Sequence, residues 1–308
     1  MIGYRISLAQ LESLIDAEVA GWRTRAEDRT KKFKAAGKYD ESSTIWSEIK
    51  VVYMRLQGEA KCVYCERKLE GEERGKAEHD VEHFRPKSSV RTWKTPTALT
   101  KQGVLVTQPS KPAPGYHILP YHLFNYSAAC KPCNSAIKSD CFPVTGAYQF
   151  TGDDPVKLLG EQPLLIYPIG DFDDDPEALI GFHGISPQAI PQHGYKRHKA
   201  LTTIAFFELD DAIGRKNLVR GRAHVITTLY PQLLTFAGNE PANKKAIAKM
   251  LIDGFTSPKS EHTNCARSFR NLFNKDPDEA ERIFEAAARF IDSRETPNKL
   301  LISRKWAA

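Results

Sequence analysis

The chain has 308 residues, of which 41% are hydrophobic and 27% are charged, a composition typical of globular proteins with a packed core and one or two domains. Its 44 Lys plus Arg against 38 Asp plus Glu give a formal net charge of +6, a mild basic excess that is compatible with a polyanionic partner but does not by itself predict one. No apolar run is long enough for a transmembrane segment, so no membrane partner is expected.

The cysteine content and the N-terminus bear on the compartment. Arg5, Glu12 and Asp16 interrupt the first residues, so they lack the apolar stretch of a secretory signal peptide. Four of the six cysteines form two C-x-x-C pairs. We therefore expect a cytoplasmic protein whose cysteines bind metal instead of forming disulfides. Cys141 and Cys265 remain over and are predicted to be small buried hydrophobes.

The first predicted region, residues 1–60, is helical. Apolar residues recur at helical spacing from Leu8 through Val19, and Trp22 continues the stripe toward the Lys-rich sequence TKKFKAAGK, which predicts one amphipathic helix. A second helix is predicted over STIWSEIKVVYMRLQG, ending before Gly58. Both stripes are expected to pack in a core.

The second predicted region, residues 61–145, holds both cysteine pairs and most of the chemically suggestive polar residues. Within it, residues 87–115 are rich in Pro, Thr and Lys and lack periodicity, which predicts an inserted loop between two strands. Such a loop either closes over a substrate or is a tolerated surface excursion.

The third predicted region, residues 146–308, is mainly helical. Turn residues and short apolar runs such as Leu164 to Tyr167 predict one or two short strands near its start. The acidic run Asp171 to Asp175 has spacing unlike that of a calcium loop and is expected to be solvated. Helical patterns dominate from about Tyr195 onward. The fold class predicted is therefore α+β and mostly helical.

The pairs Cys62/Cys65 and Cys130/Cys133 have the spacing of a zinc site. Four thiolates form a closed tetrahedral site with no position for water, so the zinc is expected to be structural. The alternatives are two unrelated thiol pairs or a redox motif.

A carboxylate and a histidine stand together between the cysteine pairs, in EHDVEHFRPK, which alternates like a short strand ending at Glu82 and His83. Phosphodiester cleavage needs a base that deprotonates water and a cation that polarises the phosphate, and this pair suits both needs. Paired residues of this kind are otherwise common on protein surfaces.

Downstream, Tyr116 to Lys138 reads as a strand entering a helix, with Asn125 near the junction as a turn cap or a catalytic-loop residue. Asn134 and Lys138 are four residues apart and share a helical face. That face offers an amide oxygen to a metal and an ammonium to a phosphate.

The order of these motifs resembles the HNH endonuclease motif with zinc knuckles. More closely, CVYCE, DVEHFRPKS, the 116–125 segment and CKPCNSAIKSDCFP resemble the PtuB-like HNH nucleases of Septu and certain retron anti-phage systems. The later PLLIYP, DDPE and KALTTIAFFEL are similar to the C-terminal half of that group, so the resemblance covers about two-thirds of the chain. It implies a central ββα-metal nuclease motif and a metal-dependent endonuclease acting in anti-phage defence.

The resemblance also assigns roles. It implies that His83 is the general base, that Glu82 and Asn134 hold a catalytic Mg²⁺ or Mn²⁺, and that Asn125 fixes the catalytic loop. Lys138 would contact phosphate. Arg85 and Lys87, which follow His83 in the sequence, are assigned to phosphate binding together with Lys138. No role is given to His79, His117 and His122.

Septu nucleases act with an ABC-type ATPase, and this chain lacks a Walker A loop of its own, so the resemblance implies a separate ATPase partner. Two alternatives stay open. One is a zinc-stabilised nucleic-acid-binding or scaffold subunit without catalysis, and the other is an RNA-cleaving toxin directed at tRNA. DNA is preferred as the substrate because HNH nucleases most often cut it.

Overall fold

The computed structural model describes residues 1–292, and the end of the predicted C-terminal helical region, after residue 292, lies outside the described residues. The chain divides into two compact units. The first contains residues 1–180 and 189–207, and the second, within the described chain, contains residues 181–188 and 208–292. Residues 1–60 and 61–145, which were predicted as separate regions, thus lie in one unit. The chain passes from one unit to the other between residues 180 and 208, and not at residue 145.

Helices and two small two-stranded sheets make up the described chain, which confirms the α+β class. The first unit contains the helices α1 (Leu8–Glu18), α2 (Trp22–Ala36), α3 (Lys50–Leu56), α4 (Glu72–Glu78), α5 (Thr97–Thr100), α6 (Pro176–Leu179) and α7 (Gly194–Phe206). Its sheet consists of β1 (His79–His83) and β2 (Tyr126–Cys130), and β2 leads into a helix at Pro132–Lys138 that we call the site helix. Short 3₁₀ turns occupy Trp46–Ile49, Leu123–Asn125 and Pro155–Glu161.

The predicted first helix is two helices, because the chain turns at Gly21. Ser7 caps α1 by accepting a hydrogen bond from the Gln10 N–H at 3.2 Å, and the Gln10 side chain accepts one from the Ser7 N–H. Gly21 has a left-handed φ of 72°, a conformation that ends α1 before Trp22 begins α2. The predicted stripe packs only in part: Leu11, Ile15 and Trp22 are buried, whereas Leu8 and Leu14 are exposed.

The two ends of the segment inserted between β1 and β2 are joined by a hydrogen bond, and part of the segment packs in the core. The Tyr116 N–H donates to the Pro86 carbonyl at 2.8 Å, so the two ends of the segment lie side by side. Within the segment, Leu99 and Val104 are buried against Leu164 and Leu201. Leu99 and Val104 therefore anchor the segment to the core of the first unit, although most of its residues are exposed or half-buried.

The short strands of the C-terminal half lie later than predicted. Leu164 to Tyr167 are buried, but the Ile166 N–H donates to the Thr203 hydroxyl at 3.2 Å instead of to a neighbouring strand. The second sheet is instead formed by β3 (Ile180–His183) and β4 (Ser186–Ala189). A side chain of α7 thus satisfies the backbone that sequence patterning assigned to a strand.

The second unit is mainly helical, as predicted, and residues 181–188 add most of β3 and β4 to it. Its helices are α8 (Lys216–Ala237), α9 (Ala242–Thr256), α10 (Thr263–Lys275) and α11 (Pro277–Asp292). Ile226, Leu229, Ile252 and Phe269 are among the residues that form its core. Among residues 1–292, no helix is both long and apolar enough to cross a membrane.

Candidate active site and zinc centre

The candidate site is built on an antiparallel strand pair followed directly by the site helix. β1 and β2 pair in a register that sets His79 opposite Cys130 and His83 opposite Tyr126. One end of the strand pair therefore carries Cys130, a predicted zinc ligand, and the other end carries His83, the predicted base. The site helix begins at Pro132, which suits a first helical turn because that position needs no hydrogen-bonded N–H.

The four predicted zinc ligands come together. Cys62, Cys65, Cys130 and Cys133 are buried, and their Sγ atoms all lie within 4.8 Å of one another. The Cys65 and Cys130 sulfurs are 3.9 Å apart. Four sulfurs at Zn–S distances of 2.3 Å in a tetrahedron would be separated by about 3.8 Å, so the cluster fits a zinc ion.

The cluster joins two separate parts of the first unit. The first cysteine pair lies in a knuckle loop that is held to β2 by a hydrogen bond of 3.1 Å from the Val63 N–H to the Ala128 carbonyl. The buried Gln57 side chain accepts from the Ala128 N–H and donates to its carbonyl, both at 2.7 Å. Burial raises the pKa of the Cys62 thiol well above its ordinary value, so a cation is needed to keep this group as a thiolate.

The imidazole of His83 is fixed by a backbone oxygen. Its Nε2 lies 3.2 Å from the Pro120 carbonyl, and its ring meets the Trp46 and Tyr126 rings edge-on at centroid distances of 4.7 and 5.1 Å. Burial, with a further contribution from the nearby Lys87, holds the pKa of His83 well below its ordinary value. The imidazole is therefore neutral at pH 7, which is the form that a general base requires.

Glu82 is engaged with a lysine of the site helix. The Lys138 Nζ lies 2.6 Å from the Glu82 Oε1 and donates to the His83 carbonyl at 2.9 Å. Both side chains are buried, with 0% of Lys138 and 2% of Glu82 exposed. Burial raises the pKa of Glu82, and Lys138 opposes that rise. Lys138, predicted to contact phosphate, is instead enclosed beside Glu82.

Asn134 contacts the carboxylate of Asp80 and not that of Glu82, with which it was predicted to share a cation. Its Nδ2 donates to the Asp80 Oδ2 at 3.1 Å, and the Ser135 hydroxyl donates to the same oxygen at 3.0 Å. The site helix is a π-helix, which is wider than an α-helix, and at its end the Ser139 N–H donates to the Asn134 carbonyl five residues earlier, at 2.7 Å. Asn134 and Lys138 thus both reach β1, two residues apart along the strand.

This arrangement does not fit an open site for a catalytic cation. The carboxylate predicted to bind Mg²⁺ or Mn²⁺, that of Glu82, is paired with an ammonium, and the Asn134 amide is hydrogen-bonded to Asp80. A divalent cation needs several oxygen ligands that are free to face it. Among residues 1–292, the four cysteines form a ligand set that suits zinc, whereas Glu82 and Asn134 do not form one for Mg²⁺ or Mn²⁺.

Asn125 lies where a loop-fixing residue is expected. It is buried, its Oδ1 accepts from the Arg85 N–H, and its Nδ2 donates to the Leu119 carbonyl at 3.1 Å. These bonds tie the chain that leaves β1 to the chain that enters β2. The loop carrying the Pro120 carbonyl, which contacts His83, is held by the same side chain.

Arg85 and Lys87, both predicted to bind phosphate, have different environments. The Arg85 side chain is buried, its Nε donates to the Glu161 Oε2 at 2.9 Å, and its guanidinium lies 5.3 Å from the Phe142 ring centre. Arg85 is thus part of the core, and its guanidinium is directed to Glu161 instead of to the predicted phosphate. The Lys87 Nζ lies 4.9 Å from the Trp46 ring centre, near His83.

The residues left without a role are dispersed. The His79 Nε2 is 3.1 Å from the Ala60 carbonyl, and the His122 Nδ1 accepts from the Phe124 N–H. His117 and Cys265 are buried, and Cys141 is half-buried.

The acidic run is less solvated than predicted. Asp173 pairs with the buried Lys199 and accepts a hydrogen bond from the Tyr167 N–H. Its neighbour Asp174 pairs with Lys196 at 2.7 Å. These contacts anchor the run to α7.

Sequence reasoning missed several residues that shape the site. Asp80 was detectable, because strand alternation places it on the face of β1 that carries Glu82. Tyr64, whose hydroxyl lies 3.4 Å from the Glu82 carboxylate, and Trp46 are distant in sequence and gave no signal.

The chain matches no protein-family model, no curated protein and no solved structure.

Proposed function

We propose that the chain is an HNH-type endonuclease that hydrolyses phosphodiester bonds, in DNA in preference to RNA, with His83 as its general base. The contact between the His83 Nε2 and the Pro120 carbonyl carries the proposal. A carbonyl oxygen only accepts hydrogen bonds, so Nε2 bears the proton and Nδ1 keeps the lone pair. Such a nitrogen can take a proton from water that attacks a phosphate.

The order of the surrounding elements supports the same function. His83 lies at one end of two antiparallel strands that are followed by a helix, and the four cysteines lie at the other end. Asn125 is hydrogen-bonded to the chain that leaves β1. A zinc ion held by four thiolates has no open position, so its expected role is to stabilise this frame. The resemblance of these motifs to HNH nucleases adds the choice of a phosphodiester as the substrate.

Cleavage of supercoiled plasmid DNA and of a labelled RNA tests the proposal, in the presence of Mg²⁺ or Mn²⁺. His83→Gln should lose cleavage while keeping its zinc content and its melting temperature close to those of the unchanged protein, because His83 lies outside the cysteine cluster. Cleavage of RNA without cleavage of DNA would support the toxin alternative.

His79→Gln is a matched control. His79 lies on the same strand, is buried, and has its Nε2 3.1 Å from a carbonyl oxygen, as His83 does. We expect this variant to cleave normally when its zinc content is normal. Equal loss of cleavage in both variants, with zinc retained in both, contradicts the assignment of His83 as the base.

One observation favours a second candidate, a zinc-stabilised nucleic-acid-binding subunit without catalysis. His83 is 7% exposed and Glu82 is 2% exposed, so both are enclosed. This candidate predicts salt-dependent binding of DNA or RNA with no cleavage under any metal condition.

The ABC-type ATPase partner is proposed from the resemblance to Septu nucleases alone. The chain's own sequence supplies no ATP-binding loop, so control by ATP would come from that subunit. Plasmid cleavage with and without a co-expressed ATPase tests this part, and identical rates contradict it.

A further inference from the structure

The Glu82–Lys138 pair combines close contact with full enclosure. The ammonium is 2.6 Å from one carboxylate oxygen of Glu82 and 2.9 Å from the His83 carbonyl, and neither side chain has appreciable contact with solvent. A buried carboxylate without a partner is strongly unfavourable, so this pair satisfies a charge that water cannot reach.

The two oxygens that Lys138 contacts are the kind that a divalent cation uses. Carboxylate and backbone carbonyl oxygens are ordinary ligands of Mg²⁺ and Mn²⁺. The remaining groups near the carboxylate are the Tyr64 hydroxyl, at 3.4 Å, the neighbouring His83 and the cationic Lys87. No second carboxylate contacts Glu82 within the described residues, so adding a divalent cation beside the ammonium would bring positive charges together.

We infer that the ammonium of Lys138 occupies the cation position of this site, so that a divalent cation binds Glu82 only by displacing it. The inference rests on the proposed function only in that Glu82 is the carboxylate assigned there to a catalytic cation. Its binding consequence stands on the contacts of Glu82 alone.

Mn²⁺ binding to the zinc-loaded protein, followed by the electron paramagnetic resonance signal of free Mn²⁺, tests the inference. Lys138→Met should bind Mn²⁺ about tenfold more tightly or better than the unchanged protein, because the competing ammonium is gone. The double variant Glu82→Gln/Lys138→Met should lose that gain. Equal affinity of Lys138→Met and the unchanged protein, or a gain that persists in the double variant, overturns the inference.

Lys138→Met leaves a buried carboxylate unpaired and can fail to fold, so a second comparison keeps the native lysine and replaces Glu82 by Gln, whose amide oxygen can still accept from the ammonium. The unchanged protein and Glu82→Gln should bind Mn²⁺ equally weakly, because Lys138 already takes the carboxylate. Clearly tighter binding by the unchanged protein than by Glu82→Gln overturns the inference.

The metal-binding readout separates this inference from the proposed function. The expected Mn²⁺ affinities together with no cleavage of DNA or RNA would reject the nuclease proposal only. Cleavage that depends on His83, together with Mn²⁺ affinity unaffected by Lys138→Met, would reject the displacement only.

Discussion

The side chain of Asn125 is hydrogen-bonded to both backbone groups of Arg85: its Oδ1 accepts from the N–H at 2.7 Å, and its Nδ2 donates to the carbonyl at 3.1 Å. An amide side chain is the natural partner for this task, because it offers one acceptor and two donors in a plane. The second donor bond, to the Leu119 carbonyl, fixes the loop that contacts His83.

Asn125→Ala should lower the free energy of unfolding by at least about 2 kcal/mol, because buried backbone groups of Arg85 and Leu119 lose their partners at roughly 1–3 kcal/mol each. Urea unfolding measures this loss. Asn134→Ala is the control, since Asn134 is only partly buried and its amide contacts a side chain. Equal effects of the two substitutions would contradict the central role of Asn125.

Cys130→Ser should remove zinc and destabilise the first unit, because structural zinc contributes directly to the free energy of folding. Zinc content by mass spectrometry of metals and the melting temperature both report the change. Cys141→Ser is the matched control, because Cys141 is not part of the four-cysteine cluster, and it should keep its zinc. A stable Cys130→Ser protein without zinc would show that the cluster is dispensable.

Glu161→Gln should destabilise the protein by about 3–5 kcal/mol, the usual cost of removing one partner from a buried ion pair. Glu161 is fully buried, and it also accepts from the Tyr116 hydroxyl at 2.6 Å. Arg85→Met should have a similar effect on urea unfolding. The matched control is Lys244→Ala, which breaks the exposed pair with Glu240 and should change stability by a few tenths of a kcal/mol.

Arg85→Met also tests the phosphate assignment, provided that the folded variant is used. Because its guanidinium is directed to Glu161, the salt dependence of nucleic-acid binding should stay unchanged. A shallower salt dependence would mean that Arg85 contacts phosphate after all.

Because its pKa is lowered in the folded protein, His122 should reduce the free energy of unfolding in mild acid. Burial lowers the pKa of His122 to about 4 in the folded protein, against 6.5 for the ordinary side chain. Between pH 6.5 and 4 the unfolded chain binds a proton that the folded chain does not, so the free energy of unfolding falls by up to about 1.4 kcal/mol for each pH unit. The contribution is fully present above pH 6.5.

His122→Asn isolates this effect, because an amide oxygen can still accept from the Phe124 N–H as the His122 Nδ1 does. Urea unfolding at pH 7 and pH 5 should show a smaller pH difference in the variant than in the unchanged protein. The same pH difference in both proteins would assign the acid sensitivity to other groups.

The zinc cluster could be predicted because its signal is local. Each C-x-x-C pair places two thiols close together, and only the meeting of the two pairs depends on the fold. Asp80 could also have been found, since a period of two along β1 sets it beside Glu82 on one face. The break after α1 had a signal in the sequence, because Gly21 is a residue that readily adopts a left-handed conformation. The apolar stripe continues past Gly21 to Trp22, so periodicity alone predicted one helix.

The partner of each charged side chain could not be predicted. Lys138 and Arg85 both look like phosphate contacts in the sequence, yet each pairs with a buried carboxylate, that of Glu82 or Glu161. Such pairs depend on which residues the tertiary fold encloses together, and periodicity gives no information about them. The strand predicted at Leu164 to Tyr167 failed for a related reason, because Thr203 satisfies part of that backbone from α7.

The cysteine cluster also closes a long loop in the first unit. Cys65 and Cys130 are 65 residues apart, and closing a loop of that length costs roughly 4 kcal/mol in chain entropy. β1 lies inside this loop, so a metal ion that joins the two pairs early shortens the search by which β1 finds β2. Refolding with zinc should therefore be faster than refolding without it, whatever reaction the finished site performs.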